Sequence, residues 1–144
     1  MIDKIAELTD NAGKQVSSFQ NYTFHEIESY NLISSGSRWF GERFIAGSSQ
    51  SISLTLDNPD LSKPARFSIP VVGKSTSLST MDISLNGKLI DNLIFQPVNN
   101  SDPTAIFADE QISVTTENPP AKNIQFKLTY KFIKHCFGSL ARLY

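Results

Sequence analysis

Three side chains could serve as a thiol nucleophile or as a base near neutral pH: Cys136, His135 and His25. A cysteine–histidine dyad needs the imidazole within hydrogen-bond reach of the sulfur. His135 and Cys136 are adjacent in sequence, and that works against them. Neighbours on a strand point to opposite faces, and on a helix they diverge by roughly 100°. His25 reaches Cys136 only if the C-terminal segment docks beside it. The plainer reading is a solvated histidine and an incidental cysteine, so we assign no catalytic residue.

Metal chemistry has two places to start, the carboxylate-bearing loops "DNPDLS" at 57–62 and "SDPTAIFADE" at 101–110. Calcium takes several oxygens from one tight loop, whereas Asn-Pro and Asp-Pro pairs are turn formers in their own right. Zinc has two histidines and one cysteine in the whole chain to draw on. No metal ligand and no cofactor are expected. No glycine-rich loop precedes a helix to cradle a phosphate. The net charge of −1 offers no strong field for nucleic acid, so no nucleic-acid partner is expected either. What remains is a cluster of rings. Trp39 is the only tryptophan, and with Phe40, Tyr22 and Tyr30 it could form the aromatic platform with which many small β-sandwiches bind sugars. The competing reading is that such rings close one end of a sandwich.

The elements that must position these residues are strands. From residue 50 the apolar period is two. "SISLTLD" carries Ile52, Leu54 and Leu56 on one face, "RFSIPVV" carries Phe67, Ile69 and Val71, and "MDISLNGKLI" carries Met81, Ile83 and Leu85. "QISVTTE" adds Ile112 and Val114, and "KNIQFKLTYK" adds Ile124, Phe126, Leu128 and Tyr130. Upstream, "NYTFHEI" reads as a further strand. Alternation of this kind marks half-buried strands. Asn86-Gly87 between alternating runs is the strongest short-range hairpin signal, because both central residues of a type I′ turn need positive φ. Pro70 inside its run indicates an edge strand or a bulge. Six or seven short strands joined by Pro/Asn/Asp/Ser turns indicate an all-β fold, a single antiparallel β-sandwich with which jelly-roll connections are compatible.

With 144 residues the chain is the length of one domain. It buries roughly 70% of its unfolded surface and needs no staple. We divide it into an N-terminal segment at 1–18 with a short helix over 2–8, a β-sandwich at 19–131, and a basic tail at 132–144. Residues 122 to 144 hold Lys122, Lys127, Lys131, Lys134 and Arg142 and no acid. In the tail, Phe132, Ile133, Cys136, Phe137, Leu140 and Leu143 recur at helical steps. That is the stripe of an amphipathic helix, interrupted by Gly138, and it is expected to add little to the sandwich. A basic amphipathic helix can lie on an anionic membrane. The first residues do not have the form of a signal peptide, and no run reaches the apolar length of a membrane span.

One stretch ties these readings together. In "NYTFHEIESYNLISSGSRWFGERF" a strand ending in His25-Glu26 leads to Leu32–Gly36 and then to Trp39, Phe40, Gly41, Glu42 and Phe44. Farther on comes the Asn86-Gly87 hairpin. This order resembles the N-terminal, non-catalytic region of the type IX secretion system sortase (PorU) family, surface-bound gingipain-type cysteine peptidases of Bacteroidetes. The resemblance covers about residues 19 to 130 and stops at "LTY", residues 128–130, beyond which "KFIKHCFGSLARLY" does not match. It implies a fragment of a C-terminal signal peptidase without its catalytic domain, inactive alone. Its partners would be the parent's peptidase domain and outer-membrane secretion components, and the parent would sit at the cell surface or outer membrane. No catalytic role passes to His135 or Cys136. On residue type, Trp39, Phe40, Gly41, Glu42, Phe44, Asn86 and Gly87 are structural: Gly41 allows a positive φ or a close backbone approach, Trp39 and Phe44 anchor the entry to the strand near Gln50, and Glu42 pairs locally with Arg43. The alternative is a free-standing carbohydrate-binding sandwich. The expected core is Trp39, Ile52, Leu54, Leu56, Phe67, Ile69, Val71, Ile83, Leu85, Ile112, Val114, Ile124, Phe126 and Leu128.

Overall fold

The computed structural model describes residues 19–31, 39–99, 101 and 108–133, and none of these is helical. Six strands carry the fold: β1 (Ser49–Thr55), β2 (Ala65–Gly73), β3 (Ser79–Leu85), β4 (Lys88–Phe95), β5 (Asp109–Glu117) and β6 (Asn123–Phe132). They form two antiparallel sheets packed as a β-sandwich, one ordered β1-β6-β3-β4 and the other β2-β5. First pairs with last, second with fifth and third with fourth. Nested pairs dealt alternately into two sheets give the winding of a jelly roll.

The innermost pair sets the geometry of the rest. Asn86 and Gly87 both have positive φ, 46° and 86°, and they close a two-residue turn between Leu85 and Lys88. Asn86 also accepts a hydrogen bond from Gln125 N at 2.6 Å through its side chain, which ties the turn to β6. Farther from the turn, Met81 faces Leu93 and Ile83 faces Asp91, a pairing out of step with the turn by one residue. A bulge between Ile83 and Ser84 absorbs the difference. A bulge reverses the in/out sense of the strand beyond it. Hence Lys88, not Leu89, shares the inner face with Leu85, and Leu89 is exposed.

The inner face of β4 therefore offers Lys88 and Asp91, and β5 answers in kind. Lys88 Nζ lies 3.0 Å from Glu117 Oε1. Ser113 Oγ donates to Asp91 Oδ2 at 2.5 Å. Gln96 N donates to Asp109 Oδ2 at 2.7 Å. These contacts hold β5 with Asp109, Gln111, Ser113, Thr115 and Glu117 turned inward. Two expected core residues are thereby corrected: Ile112 and Val114 face out, 55% and 48% exposed, while Ser113 between them is buried.

The core lies between β2 and the four-stranded sheet. Val71, Ile83, Leu85, Ile124, Phe126 and Leu128 are buried as expected, together with Met81, Leu93, Phe95 and Tyr130. Ile52, Leu54, Leu56, Phe67 and Ile69 pack against this cluster only half-buried. Phe67 and Phe126 meet edge to face at 5.3 Å across the two sheets. Where β2 ends, a Cβ at Gly73 would lie 2.6 Å from the Phe95 ring, so the sheets touch there through a missing side chain. Two further expectations change. Residues 19–29 carry no strand, although "NYTFHEI" alternates. The sandwich also runs past residue 131, because Phe132 belongs to β6 and Ile133 N donates to Leu78 O at 3.2 Å. The short helix expected over 2–8 and the tail from 134 lie outside the described residues.

On the outer face of the large sheet Asp82 accepts from Lys131 Nζ and, at 2.5 Å, from Asn92 Nδ2. The Lys131 hydrogen bond holds its carboxyl below the ordinary value of 3.8, assisted by Asn92 and opposed by partial burial. A lowered folded value contributes stability above pH 3.8 that is lost as pH falls through the folded value. Lys131→Met should raise the Asp82 titration, read by carboxyl NMR. Its stability deficit should be present at neutral pH and vanish in acid, where Asp82 is protonated in both folded and unfolded chains. Gly73→Ala should cost about 1–3 kcal/mol by urea unfolding, the usual penalty for forcing a methyl group into a packed interior.

Candidate functional site

The stretch around Trp39 sits at the mouth of a cleft, and the sequence explains how it gets there. Phe44 packs against the core edge and Gln50 Nε2 donates to Arg43 O at 2.8 Å, which steers the chain into β1. The turn at Gly47, with φ of 77°, returns the backbone to β6, where Gly47 N donates to Tyr130 O and Tyr130 N donates to Ser48 O, each at 3.0 Å.

Residues 19–31 form an arm laid against this entry. Phe40 N donates to Tyr30 O at 2.8 Å, and Phe40 O accepts from both Tyr30 N and Ser29 N. His25 Nε2 and Glu42 Oε1 lie 2.6 Å apart. The partner of Glu42 is thus a histidine from the arm, in place of the local pair with Arg43 that the sequence suggested. Gly41 has no positive φ, so the second of its two expected uses applies, close approach. A Cβ there would lie 2.9 Å from Ile27 O and 3.0 Å from Ile27 Cβ. Gly41, Glu42 and Phe40 in turn therefore clamp Ile27, His25 and Tyr30. Outward of the clamp the arm is bare: Tyr22 is 82% and Phe24 78% exposed.

The cleft itself measures about 1070 Å³. Ile52 and Leu54 of β1 and Phe126, Leu128 and Tyr130 of β6 form its apolar floor, β2 from Arg66 onward one wall, and residues 23–27 with 39–46 the other. It exists because the small sheet has two strands, among the described residues, above a sheet of four. Strand β2 pairs with β5 on one edge, and the opposite edge meets no described strand. Pro70 fits that place, since a proline withholds one amide from an edge.

The sequence-assigned residues divide between two places. Trp39, Phe40, Gly41, Glu42 and Phe44 line the cleft together, whereas Asn86 and Gly87 form the β3–β4 turn outside its lining. Trp39, expected in the core, is 50% exposed. Among the described residues nothing packs over its outer side closely enough to cover it. His25 is committed to Glu42, and His135 and Cys136 lie outside the described residues. Asp60 in the first carboxylate loop accepts from Ser62 Oγ at 2.6 Å and Ser62 N at 3.1 Å, and these bonds hold its carboxyl below the usual value. It is occupied as a turn former. Among the described residues no group of three acidic, histidine or cysteine side chains converges on a metal position.

Sequence reasoning missed the outer face of the small sheet. Pro70 pairs with Ile112, Ser68 with Val114 and Val72 with Glu110. Cross-strand partners share a face, so Pro70, Val72, Ile112 and Val114 form an outward apolar patch with Arg66, Ser68, Glu110 and Thr116 around it. The signal was present in "QISVTTE", whose alternation fixes two faces without saying which one is inside.

No protein-family model matches the chain, and no curated protein matches it.

Gly41→Ala should push Ile27 off its seat and free the arm. Limited proteolysis is expected to cut within residues 19–31 faster than in the parent chain, with the melting transition of the sandwich little changed. Unchanged cleavage would show that the clamp does not hold the arm.

Proposed function

We propose that this chain is a non-catalytic β-sandwich module of a type IX secretion system sortase, a gingipain-type cysteine peptidase. It acts by docking, and the outer face of the β2–β5 sheet is the surface that packs on the parent's peptidase domain. The observation that carries the docking role is the apolar patch of Pro70, Val72, Ile112 and Val114. A polar-rimmed apolar patch on a small domain marks a surface that another body covers. The family assignment rests on the ordered residues His25-Glu26, Trp39 to Phe44 and Asn86-Gly87. In the parent, at the cell surface or outer membrane, the peptidase domain would cleave C-terminal sorting signals from secreted cargo, and this module would hold that domain or an outer-membrane partner in place.

The test is to titrate the chain against a recombinant peptidase domain of the sortase family by biolayer interferometry. Ile112→Lys with Val114→Lys should weaken binding by about tenfold or more, since buried interface anchors typically contribute above 1 kcal/mol. The same pair should leave the melting temperature nearly unchanged, because both side chains already face solvent. A parent chain that does not bind, or a double variant that binds equally well, would sink the proposal.

A second reading has its own observation. Trp39, Tyr22 and Tyr30 are all exposed, as a sugar-binding platform requires. Glycan-array binding that disappears in Trp39→Ala would favour the free-standing carbohydrate-binding sandwich.

A further inference from the structure

Asn86-Gly87 is the only Asn-Gly pair in the chain, and both residues of its turn are exposed to water. Such a pair carries a reaction of its own. The amide nitrogen of Gly87 attacks Cγ of the Asn86 carboxamide, and glycine has no Cβ to hinder the approach. A bond forms between that nitrogen and Cγ. The Cγ–Nδ2 bond breaks, and ammonia leaves with the proton that the amide nitrogen gives up. Water then opens the resulting succinimide at either carbonyl. Attack at Cγ yields aspartate. Attack at the main-chain carbonyl yields isoaspartate, whose backbone runs through Cβ and Cγ. Nothing is oxidised or reduced, and water is the one co-reactant.

The fold opposes ring closure. Asn86 N donates to Gln125 O at 2.8 Å, and Gln125 N donates to Asn86 Oδ1 at 2.6 Å. One residue of β6 thus holds both the backbone and the carboxamide of Asn86, and draws the carboxamide toward β6 instead of toward Gly87. Gln125 is itself well anchored, because its neighbours Ile124 and Phe126 are buried in the core at 1% and 4% exposure. We infer that Asn86 is a deamidation site shielded by β6, so that the chain is modified there when the β3–β4 hairpin is released from that strand. The modification then records the release.

The two products differ in what they do to the fold. Aspartate at position 86 leaves the main chain unaltered, and its carboxylate still accepts from Gln125 N. Isoaspartate inserts a methylene into the backbone of a turn that reverses direction in two residues, both at positive φ. Such a turn no longer sets Leu85 opposite Lys88, the register that the bulge at Ile83/Ser84 accommodates. A molecule that refolds after isomerisation carries a lasting fault in its hairpin. The inference is independent of what the outer faces of the sheets dock to.

The test is to incubate the intact chain in mildly alkaline buffer, folded and, in parallel, unfolded in guanidinium. Peptide mass spectrometry follows conversion at Asn86, and isoaspartyl methyltransferase labelling identifies the isoaspartate. The unfolded chain should convert readily to both products. The folded chain should convert slower by about tenfold or more, since the reactive geometry must first be reached by opening. Ile124→Val removes one methylene beside Gln125 and should speed the folded-state reaction by about threefold, with the unfolded rate unchanged. The isoaspartyl form, separated by ion exchange and refolded, should melt below the parent, whereas Asn86→Asp should melt close to it. Equal rates in the folded and unfolded chains overturn the inference. A folded-state rate indifferent to Ile124→Val, or an isoaspartyl form that melts with the parent, overturns it as well.

Discussion

The tight turn at Asn86-Gly87 is the constraint on which much of the molecule depends. Two residues at positive φ leave one allowed register at the end of the β3–β4 hairpin, whereas the buried residues farther along require another. The bulge at Ile83/Ser84 reconciles them, at the cost of turning Leu89 out and Lys88 in. That reversal places a lysine and an aspartate where a sandwich would ordinarily offer two apolar side chains. Strand β5 then packs with its polar side inward, because Ser113 and Glu117 are the groups that satisfy Asp91 and Lys88. Asp91 is half-buried and would be costly without its Ser113 partner, whereas the Lys88–Glu117 pair lies largely in solvent and adds little. The outward apolar patch of the small sheet is therefore a remote consequence of a two-residue turn.

The same logic explains what could be read from the sequence. Period-two alternation located five of the six strands, and the Asn-Gly pair located the hairpin whose second strand, β4, is the sixth. The central residues Ile83, Leu85, Ile124, Phe126 and Leu128 were legible because each lies in a strictly alternating run whose apolar members share one face. The facing of β5 was not legible, since it is decided by the bulge on β4 and not by anything within "QISVTTE". Trp39 was misplaced for a different reason. Large apolar side chains are usually inside, but that rule presumes a surface to cover them, and the small sheet supplies none on that side among the described residues. The arm shows the limit of alternation as evidence. "NYTFHEI" has the pattern of a strand, yet a strand also needs an edge to join, and among the described residues the arm meets the short entry segment through Phe40, Gly41 and Glu42.

The run from Trp39 to Phe44 was singled out as structural, and Gly41 and Glu42 serve as a clamp for the arm. The partner of Glu42, seventeen residues away in sequence, could not be found by local pairing rules. Exposed rings and an apolar cleft meet at one place.

The position of β6 has a consequence for how this chain can be made. It lies between β1 and β3 and hydrogen-bonds to both, yet it is the last strand in sequence. During synthesis β1 must wait for a partner whose residues follow it by some seventy positions, and such distant closures are slow. Only the β3–β4 hairpin can form from a nascent chain in passing. The large sheet is completed when residues 123–132 have left the ribosome, so the sandwich gains its stability late and all at once. Until then the apolar faces of β1 and β3 lack the strand that joins them.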